Sequence, residues 1–311
     1  MAVAVAHPNI ALVKYWGKRP GRGNVPATPS LSITLGGLTT RTRVDEAAED
    51  TLEINGERRG DAKVARLVAE LREDFALPPI SIASCANFPV GAGLASSASG
   101  FAALVTAVNE TFSLGLPPPA LSTWARRGSA SAARSLFGGF VALDPDAGAA
   151  AVLDRDEWPL EVVIAVTSDA AKAVSSTEGM ERSRNTSPFY GAWMQSTATD
   201  FDEACRAIGL RDFEALAASA EHSCLKMHAL MLSTRPGLLY WNAATIDAIH
   251  AVRALRGAGT PVFFTIDAGP QVKAVCLPAA AATVADRLRE LSGVQRVMRV
   301  GLGAGARVVE K

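Results

Sequence analysis

The chain is short of cysteine, carries no surplus of either charge and lacks any long apolar run. Each shortage removes a class of protein. Its four cysteines, Cys85, Cys205, Cys224 and Cys276, stand far apart with no Cys-x-x-Cys pair. That spacing argues against a disulfide framework and against a zinc site, and it suits a reduced, cytoplasmic setting. Lys plus Arg and Asp plus Glu both number 31, so the formal net charge is zero. A nucleic-acid binder would show a basic surplus or stripe, and neither is present. A small anionic ligand is not excluded, because a local cluster of cations suffices for one. No stretch of about 18 or more apolar residues occurs, so no membrane span is expected. The opening residues 1–8 lack a charged region followed by a long apolar core, and they read as a strand, not as a signal peptide.

What is present suits a globular protein. A chain of 311 residues, 49% hydrophobic and 20% charged, can bury one large core or two ordinary ones. Strands are expected at 2–6, 31–35, 41–45, 80–86, 140–143, 161–166, 261–266 and 272–276, with a last one near 296–300. Val64, Leu67, Val68 and Leu71 recur at helical spacing, which predicts a helix over 62–75. A second helix should open near Ser96, with Phe101, Leu104, Val105, Val108 and Phe112 on one face. Pro117-Pro118-Pro119 stops it and opens the next. Further helices are expected at 199–207, 211–230, 242–256 and 279–292. Strands and helices mixed without strict alternation predict an α+β fold. A boundary is expected at about residue 165, dividing 1–165 from 166–311.

Four segments carry candidate chemistry. The first runs from Pro89 to Ser99 and contains Gly91, Ala92, Gly93, Leu94, Ala95, Ser96 and Ser97. Glycines permit close backbone approach, and a helix N-terminus adds unpaired N–H groups with a positive dipole end. Together with the serine hydroxyls they form a phosphate cradle, although a capped helix after a tight turn fits the same residues. No Gly-Lys-Ser/Thr follows, so this is not a Walker A loop, and Ser96 stands where a dinucleotide fingerprint needs its last glycine. The second segment is Lys14-Tyr15-Trp16-Gly17-Lys18. Lys14 ends the apolar run 10–13 and, if buried, needs a carboxylate or phosphate partner; the plain alternative is an exposed basic turn.

The third segment, Gly128-Ser129-Ala130-Ser131-Ala132-Ala133-Arg134, alternates hydroxyl residues with alanine and ends on an arginine able to grip a phosphate with two N–H groups. A serine-capped helix start is the competing reading. The fourth ends a strand on Asp267 before Ala268-Gly269-Pro270. This is either a turn aspartate bonding its own backbone or a carboxylate projected from a rigid strand for base or positioning work. His222 and His228 lack metal-ligand spacing, and Gly301–Gly305 reads as a glycine-rich turn. The sequence does not identify the ligands of a metal ion.

These segments occur in one order, together with Val174-Ser175-Ser176-Thr177-Glu178-Gly179-Met180 and Thr186-Ser187. In that combination the chain resembles the diphosphomevalonate decarboxylase family of the GHMP kinase superfamily, over residues 8 to 270. The resemblance implies a two-domain fold, with an N-terminal domain like ribosomal protein S5 domain 2, a ferredoxin-like C-terminal domain and the active site between them. It implies ATP-dependent phosphorylation of the 3-hydroxyl of mevalonate 5-diphosphate, followed by loss of phosphate and CO₂ to give isopentenyl diphosphate, with ATP and Mg²⁺ required.

Carried over residue by residue, it implies that Asp267 meets the 3-hydroxyl as base or orienting group and that Lys14 pairs with it. Tyr15, Trp16, Gly17, Lys18, Arg66, Ser129, Ala130, Ser131, Ala132, Ala133 and Arg134 would hold the substrate, with Ser176 and Thr177 near its carboxylate and phosphate. Gly91 to Ser97 would hold the ATP phosphates. Gln271 departs from the family, where asparagine is common. A decarboxylase acting on mevalonate 5-phosphate and a mevalonate 3-kinase-like enzyme are the neighbouring alternatives, and a silent ligand-binding protein is the remote one. A homodimer is expected by the same resemblance.

Overall fold

The computed structural model describes residues 1–89, 95–170 and 172–311. The chain opens with β1 (Ala2–Ala6), β2 (Asn9–Val13), β3 (Ser30–Thr34), β4 (Thr40–Glu46), β5 (Thr51–Ile54) and β6 (Glu57–Arg58). Helix α1 (Ala62–Phe75) and β7 (Ile80–Ala86) precede α2 (Ser96–Thr111), α3 (Pro118–Gly128) and a 3-10 helix, Ala130–Leu136. Strands β8 (Phe140–Asp144), β9 (Gly148–Leu153) and β10 (Glu161–Val166) lead into α4 (Ser176–Thr186), α5 (Tyr190–Leu210), α6 (Phe213–Leu232) and α7 (Ala243–Gly257). The chain closes with β11 (Val262–Thr265), β12 (Val272–Cys276), a 3-10 turn at Pro278–Ala280, α8 (Ala281–Arg289), β13 (Arg296–Gly301) and β14 (Arg307–Glu310).

The strands form three sheets, in the orders β14-β1-β4-β7-β5-β6, β2-β3-β8-β9 and β11-β12-β10-β13. Helices pack on all three, which is the expected α+β arrangement. The first sheet is covered by α1, α2 and α3. The small buried side chains of β1 and of α2 (Ala98, Ser99, Ala102, Ala103) let that helix sit close to the sheet. Asp61 caps α1 by accepting from the backbone N–H groups of Lys63 and Val64. The other two sheets share one core. Ile10, Leu12, Leu31 and Ile33 of the β2–β3 pair meet Val162, Ile164, Phe263 and Val275 of the C-terminal sheet, together with Ala204, Ile208, Leu216 and Ala220 of α5 and α6. Burying each such side chain stabilises by about 1.5–3 kcal/mol. The two walls facing the cleft are therefore held in one packed body.

Several elements differ from the sequence expectation, and β2, β5, β6, β9, α4 and β14 were not expected at all. The helix expected at 199–207 is the second half of α5, which starts at Tyr190; in its first turns Tyr190, Trp193 and Met194 pack into a cluster with Trp16 and Met227. The helix expected at 279–292 begins as a 3-10 turn at Pro278–Ala280, and its α portion ends at Arg289. The glycine-rich stretch at 301–305 does turn, but it leads to β14, which runs antiparallel to β1 in the first sheet. A Cβ on Gly303 would stand 2.8 Å from the backbone nitrogen of Gly36, so this crossing admits only glycine.

Candidate active site

A cleft of about 380 Å³ lies where the ends of β2 and β11 meet the starts of α2, α4 and the 3-10 helix Ala130–Leu136. Among the described residues its lining contains six cations, Lys14, Lys18, Lys63, Arg66, Arg134 and Lys172, against one carboxylate, Asp267. That imbalance suits a ligand carrying several negative charges.

Lys14 is placed by β2, which bulges between Ala11 and Val13 as it ends. Its backbone N–H donates to Ser223 Oγ of α6 at 2.9 Å. Its Nζ donates to the carbonyl of Ala11 and to Asp267 Oδ1, both at 2.7 Å. Thr265 Oγ1 donates to the same Ala11 carbonyl at 3.0 Å, so strand ends from two sheets are tied at one oxygen. The lysine side chain is 1% exposed, whereas that of Asp267 is 29% exposed, toward the cleft. Burial pushes the Asp267 carboxyl up, but Lys14 and Lys273 outweigh it and hold the group down to about 2. Asp267 is therefore a fixed anion at neutral pH.

Arg134 lies 2% exposed in the 3-10 helix. Its Nη1 donates to Ser30 Oγ at 2.5 Å, while Nε and Nη2 donate to Asn9 Oδ1 at 3.2 and 3.1 Å. Asn9 in turn donates to the Ser131 carbonyl and to Ser135 Oγ. No carboxylate among the described residues forms an ion pair with Arg134, so its charge remains available to an anion in the cleft. Ser129 does not cap the 3-10 helix through its side chain. Its Oγ lies instead 3.2 Å from Ser131 Oγ, placing two hydroxyls side by side on the cleft wall.

Lys18 donates to Asn24 Oδ1 and to Thr177 Oγ1. Burial, with Lys63 and Arg66 nearby, lowers its ammonium to about 8. Ser175 caps α4 by accepting from the Glu178 N–H, so Ser176 and Thr177 form a first helical turn at the cleft. Ala95, Ser96 and Ser97 place the start of α2 there as well. Gly91, Ala92, Gly93 and Leu94, named as nucleotide contacts from the sequence, lie outside the described residues.

Of the residues named from sequence, Lys14, Tyr15, Trp16, Lys18, Arg66, Ser129, Ala130, Ser131, Arg134, Ser176, Thr177 and Asp267 line this one cleft. Trp16 lines it while its Nε1 donates to Ser183 Oγ. Gly17, Ala132 and Ala133 do not line it. Gly17 has φ +133 and a site that only glycine fits beside the Tyr190 hydroxyl, and Ala132 and Ala133 face the core. His222 is exposed and His228 is buried beside the Ile266 carbonyl, where burial lowers its pKa to about 3. Gln271, fully buried, accepts from the Thr167 N–H and donates to the Ser168 carbonyl, pinning the loop that leaves β10.

Sequence reasoning missed several residues. Asn9 and Ser30 orient Arg134 from inside strands, where a polar residue looks like any other. Lys63 lines the rim. Lys172, half-buried in the loop after β10, donates to Ser176 Oγ at 3.2 Å, and its ammonium is lowered by burial. Lys273 stands 3.8 Å from Asp267 Oδ2; a lone lysine in an apolar strand was the signal for it.

Known proteins share this architecture. The family model for the diphosphomevalonate decarboxylase-like N-terminal domain matches residues 6–152, and that for the mevalonate 5-diphosphate decarboxylase C-terminal domain matches residues 162–300. The diphosphomevalonate decarboxylase of Saccharomyces cerevisiae is 35% identical over 301 residues, covering 86% of this chain and 76% of the relative. A solved structure of MDDEF in complex with MVAPP, AMPPCP and magnesium superposes with a TM-score of 0.93 at 34% identity, covering 100% of this chain and 99% of that one. The mevalonate diphosphate decarboxylase of Staphylococcus aureus superposes with a TM-score of 0.93 at 32% identity, over 99% and 98% of the two chains. The fold is thus the two-domain α+β fold of the GHMP kinase superfamily, and the chain belongs to the diphosphomevalonate decarboxylase family.

Proposed function

We propose that this cleft performs the ATP-dependent decarboxylation of (R)-5-diphosphomevalonate to isopentenyl diphosphate, ADP, phosphate and CO₂, a step of the mevalonate pathway of isoprenoid biosynthesis. Asp267 is the group that meets the 3-hydroxyl. One observation carries this reading: a cationic cleft holds a single carboxylate, and a buried lysine clamps it in ionised form.

The chemistry follows from the residues. A tertiary hydroxide leaves poorly, and a phosphate leaves well. Asp267 accepts a hydrogen bond from the 3-hydroxyl and aims its oxygen at the γ-phosphorus of ATP. A carboxylate held at about 2 is a weak base for an alcohol. It therefore takes the proton late, once the new O–P bond has made that oxygen acidic. The γ-phosphoryl group passes to the 3-oxygen, and ADP is left. Departure of the new phosphate builds positive charge at C3. The electron pair of the bond to the adjacent carboxylate fills that deficit, forming the alkene and releasing CO₂.

Arg134, Ser129, Ser131, Tyr15 and Lys18 hold the diphosphate, with Trp16, Ala130 and Arg66 on the same wall. Ser96 and Ser97, at the start of α2, offer hydroxyl and N–H donors to the ATP phosphates, and Lys172 faces the same space. An apolar cavity lined by Leu52, Ile54, Ile82, Phe101 and Leu104 opens beside Ser96 and Ser97, and it suits the adenine ring. Among the described residues no group of three or more His, Cys, Asp or Glu could cage a metal. Mg²⁺ fits here as an ion held mainly by phosphate oxygens and water, where it offsets charge during transfer. The solved MDDEF complex carries MVAPP, the ATP analogue AMPPCP and magnesium together, in support of this ligand set.

We further place the division between domains near residue 165, with β14 crossing back to the first sheet. A cytoplasmic homodimer is the matching cellular form. No described helix is long and apolar enough to cross a membrane.

Incubation with ATP, Mg²⁺ and either mevalonate 5-phosphate or 5-diphosphate, with ADP and CO₂ followed, tests the substrate. The diphosphate should turn over with CO₂ released. Turnover of the monophosphate alone would reassign the substrate, and ADP without CO₂ would make the enzyme a 3-kinase.

A further inference from the structure

We infer that Lys273 is a positioning residue for the reaction: it fixes the second carboxylate oxygen of Asp267 from beneath, while Lys14 holds the first. This rests on the reading that Asp267 meets the 3-hydroxyl.

The strand register places it. In the C-terminal sheet Lys273 of β12 stands opposite Thr265 of β11 and Ile164 of β10. Directly opposed residues point to the same face. The neighbouring row on that face is Phe263, Val275 and Val162, all members of the shared core. Lys273 is thus a lysine, 1% exposed, set into an apolar face. Burying an ammonium there is costly unless a carboxylate offsets it. The carboxylate it approaches is Asp267, whose Oδ2 lies 3.8 Å away.

The two lysines play different parts. Lys14 donates a hydrogen bond to Oδ1 at 2.7 Å and occupies that oxygen. At 3.8 Å Lys273 lies beyond hydrogen-bond reach of Oδ2. It acts on that oxygen by charge and leaves its lone pairs able to receive the substrate hydroxyl. A cation so close also opposes full protonation of the carboxylate, which keeps proton transfer late.

Lys273 is faced by Asp267 after β11, Lys14 after β2, Lys172 in the loop after β10, and Cys224 and His228 on α6. Burial lowers its ammonium to about 8 against the pull of Asp267. Asp267 therefore loses one of its neighbouring cations as pH rises through that value, and the alkaline limb of kcat should report it. Lys18 also titrates near 8, but it lies at the diphosphate and shows in KM. The limb is accordingly read at saturating substrate.

The test compares wild type, Lys273→Met and Lys273→Arg for kcat, KM and thermal stability from neutral to alkaline pH. Lys273→Met should fold with some loss of stability, because Asp267 keeps its charge and its hydrogen bond to Lys14 but loses a neighbouring cation. Its kcat should fall on the order of 10²-fold with little change in KM, as expected when a reacting group is slightly misplaced. Lys273→Arg, always charged, should retain more activity and move the alkaline limb upward. A wild-type kcat in Lys273→Met, or an unmoved limb in Lys273→Arg, would overturn the inference. If one variant fails to fold, the other decides; failure of both would make Lys273 a structural residue only. Absence of both ADP and CO₂ formation by wild type would refute the proposed reaction and this inference with it, whereas an active wild type with an unchanged kcat in Lys273→Met would refute the inference alone.

Discussion

Lys14 Nζ lies 2.7 Å from Asp267 Oδ1, joining residues 253 apart in the chain. The contact closes the gap between the end of β2 and the end of β11, and it makes Asp267 an anion whose direction is set before substrate arrives. Pre-organisation of this kind is how a weak base contributes to catalysis.

Replacing Lys14 by Met leaves Asp267 with Lys273 and the more distant Arg134, and frees the Ala11 carbonyl from one of its donors. The expected result is a fall in kcat on the order of 10²-fold and a loss of about 1–3 kcal/mol in stability, because a buried acceptor is left less well paired. Steady-state kinetics and a urea denaturation midpoint check both. Equal losses in kcat and KM-normalised rate would indicate that the lysine acts in the transition state.

The pH dependence of substrate binding should follow Lys18. Its ammonium sits at about 8, lowered first by burial and then by Lys63 and Arg66. The sign is set by the charged form being the one that grips the diphosphate. Binding is complete below that value and is lost as pH rises through it. KM for the diphosphate substrate should rise above pH 8, by at most about tenfold per unit. Lys18→Arg stays charged and should flatten that rise. A KM profile with the same inflection in both proteins would remove Lys18 from diphosphate binding.

Gly17 matters for a reason the sequence did not show. Its φ of +133 lies where side chains are strained, and an added Cβ would stand 2.3 Å from the Tyr190 hydroxyl. Gly17→Ala should cost about 1–3 kcal/mol and should raise KM by shifting Lys18. Adding Tyr190→Phe removes the hydroxyl and should recover part of the loss. No recovery in the double variant would mean that the backbone strain dominates the clash.

How much was legible in the sequence differed by the kind of signal. Lys14 could be read because a charge at the end of an apolar run needs a partner, and Asp267 because it ends such a run. Lys273 is likewise a charge in an apolar stretch, yet it stands inside the strand that follows the Asp267–Pro270 turn, where its spacing alone does not show that it comes back to Asp267. Asn9 and Ser30 act through Arg134, which they meet 125 and 104 residues away in sequence; no local pattern reports such a pairing. Lys172 lies in a loop without periodicity. Strand β14 is four residues long and forms the edge of its sheet, so packing against β1, not its own alternation, makes it a strand. Helix α2 was legible from its apolar face and the preceding glycines, because both signals are local.

The central claim is that Asp267, held ionised by Lys14, meets the substrate's 3-hydroxyl. The most direct measurement is turnover of Asp267→Asn beside wild type, with ADP and CO₂ followed from 5-diphosphomevalonate and ATP–Mg²⁺, and with nucleotide binding measured on the same preparations. Asparagine keeps the shape and loses the charge. The account predicts a folded variant that binds ATP normally and whose kcat falls on the order of 10²–10⁴-fold. Near-wild-type turnover in a folded Asp267→Asn variant would contradict it.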